Sequence, residues 1–182
     1  TEKENINLKN YLSEDYETYA ESIILSKNGK LKESLKDINF LIKKNKNNIF
    51  LLETKADILY ANGYLKQSLL FYQKVLTAIP DNNYVAKKIF DIKFSNLNNE
   101  NSEINELFEN YSFLLVIFNQ NIDLKDKFKQ LSVTLEKKNW LNYFLLEEKI
   151  NSNELSNKFI IQQMKKIKKL SSSNILNKVI TQ

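Results

Sequence analysis

The sequence predicts an all-α fold, a solenoid of stacked antiparallel helix pairs with about nine to ten helices. Three observations carry that expectation: few chain breakers, an internal repeat, and apolar stripes at helical spacing. The 182 residues include two glycines, Gly29 and Gly63, and one proline, Pro80. Sandwiches, barrels and doubly wound sheets need many turn residues between their strands. Helices joined by short polar connections do not.

The repeat is anchored by Asn28-Gly29 and Asn62-Gly63, whose glycines stand 34 residues apart. At the same offset Ile24 matches Ile58, Leu25 matches Leu59, Leu31 matches Leu65 and Lys32 matches Lys66. Ser34 and Leu35 match Ser68 and Leu69, and farther on Ile42 aligns with Leu76 and Asn48 with Asn82. One domain over 1–182 follows. It comprises a first repeat at 15–48, a second at 49–82, a degenerate third at 83–121, a degenerate fourth at 122–151, and capping helices over 152–182.

The second repeat is the most regular. Leu52 takes the first large apolar slot, and Ala56 the small slot where the paired helices touch. Leu59 and Tyr60 close the first helix, and Gly63 ends it in left-handed backbone. Ser68 takes the small slot of the second helix, Tyr72 its aromatic slot, and Pro80 the terminal position. In the first repeat Ser22 and Ser34 occupy the small slots. Helices approach to about 8–10 Å only where the crossing side chains are small. One pair cannot cover its own apolar face, so each pair must stack on the next.

Farther along, Val85, Ile89 and Ile92 mark a helix over 83–95. A polar loop at 96–101 precedes a helix over 102–118, with Ser102 and Glu103 suited to its start. Phe128, Leu131 and Leu135 give a helix over 123–138, partnered by one over 140–150. After a turn at 151–153 comes a helix over 154–170, with Ile160, Met164 and Ile167 inward, and a short tail helix at 174–180.

Composition removes several function classes. With no histidine and no cysteine, the chain holds no Ser-His-Asp triad, no histidine base, no HExxH zinc site, no thiolate metal site and no disulfide. No catalytic residue, metal or cofactor is expected. Every positive side chain is lysine, and the net charge is +5. Arginine is the usual bidentate reader of phosphates and guanines, so sequence-specific nucleic-acid binding is not expected. The longest apolar run, 111–118, falls far short of a ~30 Å bilayer core, so no transmembrane segment is expected. Thr1 opens the sequence, which suggests a processed or excised part of a longer chain.

Thirty-four residues is the tetratricopeptide period, and the chain resembles a tetratricopeptide-repeat domain. What that resemblance implies is a right-handed superhelical solenoid that binds a protein or peptide. Three stretches are similar, more narrowly, to the C-terminal repeat region of alpha-proteobacterial zinc metalloproteases, relatives of the BepA-type periplasmic proteases. They are 19–24 with 28–31, then 52–63, then 129–132 with the helices that follow. This resemblance implies a substrate-holding or regulatory tail, periplasmic or secreted, whose catalytic domain lies outside these residues. The alternative is a free-standing scaffold subunit of an envelope assembly or secretion complex, or a cytoplasmic setting.

In such stacks the first helix of each pair lines a concave groove. The candidate peptide-binding residues are therefore Tyr16, Tyr19, Ile23 and Lys27, then Phe50, Glu53, Asp57 and Tyr60, then Tyr84, Lys87, Asp91 and Phe94. Aromatics mixed with both signs of charge suit an extended or helical peptide. Two readings are open for Tyr60 and Phe94: groove wall, or packing against the next helix. Lys27 and Lys87 alone do not make the lysine clamp for a C-terminal carboxylate.

Three further features have two readings each. Lys158, Lys165, Lys166, Lys168 and Lys169 accompany Phe159, Ile160, Ile161 and Met164, as a surface for an anionic partner or as the solvated side of a final helix. Glu147 and Glu148, near Glu136, fit acid–base work or an ordinary helical surface. Trp140 fits a ligand platform less well than a wedge between helices.

Overall fold

Helices begin where a side chain can satisfy the free N–H groups of the first turn, and asparagine and serine fill that role here. The computed structural model describes residues 2–98, 100–152, 156–171 and 173–181. Among them are eleven helices and no strand: α1 (Glu2–Lys27), α2 (Leu31–Lys44), α3 (Ile49–Ala61), α4 (Leu65–Ala78), α5 (Asn83–Ser95), α6 (Asn101–Tyr111), α7 (Leu114–Ile117), α8 (Ile122–Thr134), α9 (Lys138–Asn151), α10 (Asn157–Leu170) and α11 (Asn174–Ile180). Asn48 accepts a hydrogen bond from the Phe50 N–H, Asn82 from Val85 and Asn121 from Leu124. Ser156 and Ser173 cap α10 and α11 in the same way. The matched pair Asn48 and Asn82 is thus a pair of helix starts.

The chain is all-α, as expected, but with more helices than nine to ten. The extra one comes from 102–118, which divides at Ser112 and Phe113 into α6 and α7. There the N–H groups of Leu115 and Val116 bond three residues back, to Ser112 and Phe113, a tightened turn that re-phases the helix. The run is apolar on nearly every side, and the re-phased chain buries Ser112, Leu114 and Leu115 together. The helix expected at 154–170 begins at Asn157; residues 153–155, where its start and part of the expected turn fall, lie outside the described residues. No helix of the described residues is long and apolar enough to cross a membrane.

Two compact units make up the chain, Thr1–Ile92 and Lys93–Gln182. In the first, α1 and α2 are antiparallel: Ser34 Oγ donates to the Ser22 carbonyl at 2.7 Å, and Lys44 pairs with Asp15 at 2.7 Å. Ser22, Ser34, Ala56 and Ser68 are all fully buried, as the small slots require. Ile38 and Leu41 of α2 then pack with Leu51 and Ile58 of α3, flanked by Tyr19, Leu31, Leu35 and Ile42. Each such side chain, fully buried, contributes roughly 1.5–3 kcal/mol.

The second unit is built on aromatic rings. Phe108 of α6 meets Phe128 of α8 edge-on at 5.5 Å and Trp140 of α9 at 5.4 Å, and Trp140 stacks on Phe144 at 6.0 Å. Trp140 is buried and wedges three helices together. Asn139 Nδ2 donates to the Leu170 carbonyl at 3.1 Å, tying the start of α9 to the end of α10.

Three hairpin turns share one chemistry. Gly29 and Gly63 sit at φ 74° and 80°, and Glu136 at φ 50°. In each turn this residue's N–H bonds three residues back, and the next N–H bonds five back, the Schellman ending of a helix. Because Glu136 ends α8 in this way, the helix expected over 123–138 stops at Thr134. A side chain in left-handed backbone costs about 1 kcal/mol. A Cβ at position 63 would meet nothing within 4 Å, so only backbone strain is at stake there. Gly63→Ala should therefore lower stability by about 1 kcal/mol, while Glu136→Gly raises it by up to about 1 kcal/mol. Urea denaturation followed by circular dichroism checks this, and changes of the same sign in both variants would contradict it.

Candidate functional site

One helix pair takes up 34 residues in the first unit, so residues at that offset share a face. Tyr16, Phe50 and Tyr84 stand at this spacing, on α1, α3 and α5, with 71%, 70% and 45% of their surface exposed. Apolar rings left in water at one register are the most distinctive surface feature of this unit. The spacing was available in the sequence.

The three helices are also tied to one another. Between α1 and α3, Tyr19 Oη lies 3.3 Å from Thr54 Oγ1, and Asn62 Nδ2 donates to Ser26 Oγ at 2.9 Å. From α3 towards α5, Asn82 Nδ2 donates to Glu53 at 2.8 Å. Asp57 is the centre of the arrangement: its Oδ1 accepts from the Tyr72 hydroxyl at 2.5 Å and from the Tyr84 hydroxyl at 3.0 Å. Tyr72 itself is fully buried. Its ring meets Tyr60 edge-on at 6.3 Å, and Lys88 Nζ sits 4.2 Å from the centre of the Tyr60 ring and 5.4 Å from that of Tyr84.

Most of the expected groove residues therefore belong to the first unit. Glu53, Asp57, Tyr60 and Tyr84 form one hydrogen-bonded and stacked group. Lys87 and Asp91, one turn apart on α5, pair with each other at 2.8 Å. Ile23 is half-buried and Lys27 exposed, both on α1. Phe94 belongs to the second unit, where Lys127 Nζ lies 5.9 Å from its ring centre. Sequence reasoning missed Lys88, Asn82 and Thr54 as members of the face. Asn82 carried a signal in its match to Asn48; Lys88 and Thr54 carried none.

Burial pushes the Tyr72 phenol well above its usual range, and the hydrogen bond to Asp57 adds to the shift. Tyr84 is raised by burial first and then by the Asp57 charge. Both phenols thus remain protonated and serve as fixed donors, which holds the Asp57 carboxylate rigidly between α4 and α5. Elsewhere, Glu147 pairs with Lys125 and Glu148 with Lys129 across α8 and α9, while Glu136 sits in its turn. Among the described residues no three acidic, histidine or cysteine side chains gather to hold a metal ion.

A raised phenol pKa stabilises the fold fully below the unfolded value of 10.0. As pH rises past that point the unfolded chain releases the proton and the folded chain keeps it, so stability falls. Denaturation midpoints measured from about pH 8 to 11 should fall less steeply in Tyr72→Phe than in the parent, and equal slopes would contradict the Asp57 network. Comparison with protein-family models, curated proteins and solved structures yields no match to the chain.

Proposed function

We propose that the chain is a non-catalytic module that holds a protein or peptide against the face carrying Tyr16, Phe50 and Tyr84. The observation behind this reading is the exposed aromatic series itself, one ring per helix pair on a scaffold braced by hydrogen bonds. Rigid aromatics bury large area at low entropic cost and are frequent anchors in interfaces. Glu53 and Asp57 beside them add negative charge that selects among peptides. The absence of histidine and cysteine is in keeping with a binding role.

In this reading the helix pairs are of the tetratricopeptide type and continue as a right-handed superhelix. Support comes from the 34-residue spacing of the Gly29 and Gly63 turns, the Asn48 and Asn82 caps and the four buried small residues. The narrower resemblance sets the module beside a periplasmic or secreted zinc metalloprotease as its substrate-holding or regulatory tail. That setting is tested by the coding sequence upstream of Thr1. A signal segment and an HExxH domain in frame are expected, and a start codon directly before Thr1 would favour a free-standing scaffold subunit instead.

Binding itself is tested with peptides selected from a displayed library on the parent chain. Neither Tyr16 nor Phe50 has its ring buried, so Tyr16→Ala with Phe50→Ala should leave the helical spectrum intact. The same change should weaken the selected peptides by ~10-fold or more. Unchanged affinity in the double variant, or a library that yields no binder, would remove this assignment.

A further inference from the structure

A second surface lies in the other unit, along the seam of α9 and α10. There a cleft of about 300 Å³ is lined by Leu145, Leu146, Phe159, Ile167 and Leu170, with Lys149 and Lys166 on its wall. Leu146 and Ile167 form the buried floor, whereas Leu145, Phe159 and Leu170 stay exposed, Leu170 at 62%. Phe159, Lys166 and Leu170 lie on one stripe of α10, distinct from the Ile160, Met164 and Ile167 stripe.

The charge around this cleft has one sign. Helix α10 carries Lys158, Lys165, Lys166, Lys168 and Lys169 and no acidic residue, and all five lysines are exposed, as is Lys149. None of the six has a carboxylate partner among the described residues. This contrasts with α8 and α9, where Lys125 and Lys129 are matched to Glu147 and Glu148. Lysines near a helix C-terminus complement its dipole, which accounts for Lys168 and Lys169. It accounts neither for Lys149 and Lys158 nor for the three exposed apolar side chains between the charges.

We infer that the α9–α10 cleft docks an acidic amphipathic segment of a partner protein, with one apolar side chain in the cleft and carboxylates on the surrounding lysines. The cleft matches a single large aliphatic or aromatic anchor, in the manner of a helix laid into a groove. The unpaired lysines supply complementary charge and speed encounter. A soluble polyanion or a nucleic acid matches the lysines but leaves the apolar cleft unfilled. An anionic bilayer is disfavoured because the apolar floor is recessed between two helices and does not project from them.

The test uses the full 182-residue chain and a fluorescent synthetic helix with Leu and Phe along one stripe and Glu elsewhere, read by anisotropy. Comparison probes are the same peptide with its apolar stripe replaced by Ser, a single-stranded oligonucleotide, and phosphatidylglycerol vesicles. Saturable binding is expected only for the amphipathic acidic peptide, weakening ~10-fold between about 50 and 300 mM salt. Leu145→Glu and Lys166→Glu, both at exposed positions, should each weaken it ~10-fold. Tyr16→Ala with Phe50→Ala should leave it unchanged, which separates this surface from the face on the first unit. Equal binding of the Ser-striped peptide or the oligonucleotide, preference for vesicles, or insensitivity to Leu145→Glu would each overturn the assignment.

Discussion

Two helices lie only as close as the side chains at their crossing allow. In the first unit those side chains are Ser22 against Ser34, with Ala56 and Ser68 in the equivalent places, and none retains any exposed surface. Close approach within a pair pushes the larger residues outward onto the next pair, so Ile38 and Leu41 meet Leu51 and Ile58. A bulky residue at any of the four small positions would part the hairpin and, with it, the layer packed upon it. The hydroxyl of Ser34 has a second use: by donating to the Ser22 carbonyl it satisfies itself in a place water does not reach.

The candidate face inherits its geometry from this packing. Because α1, α3 and α5 bury their inward stripes against the second helix of each pair, their remaining sides are presented together. Asp57 then links α3 to both α4 and α5 through a single oxygen. Two donors on one charged acceptor in a partly buried setting bond more strongly than neutral pairs do. The aromatic positions are thus carried on a braced frame rather than on loops, and that favours binding without a large ordering cost.

Much of this was legible in the sequence because its signals are local. Gly29 and Gly63, the small slots and the Asn48 and Asn82 caps act within a few residues of themselves, and a one-dimensional offset exposes them. Tyr72 was legible as a packed aromatic but not as a donor to Asp57, since that bond depends on how α4 rolls against α3. The ending of α8 escaped notice because Glu136 stands where glycine would have announced a turn. The break inside 102–118 was hidden by continuous apolarity, which erases the phase that periodicity needs. Phe94 fits the groove pattern by arithmetic, yet its residue number falls past the boundary between the units.

The turn and cap atoms have one more consequence. The block Ile49–Asn82 contains its own starting cap at the preceding Asn48, its own left-handed turn at Gly63, and at its far end the asparagine that caps whatever follows. A copy spliced in after Asn82 would find its first N–H groups already satisfied and would hand on the same provision. Growth or shrinkage of the array by whole cassettes therefore leaves no backbone group stranded, and the number of rings on offer to a ligand becomes a quantity that gene duplication can adjust in single steps.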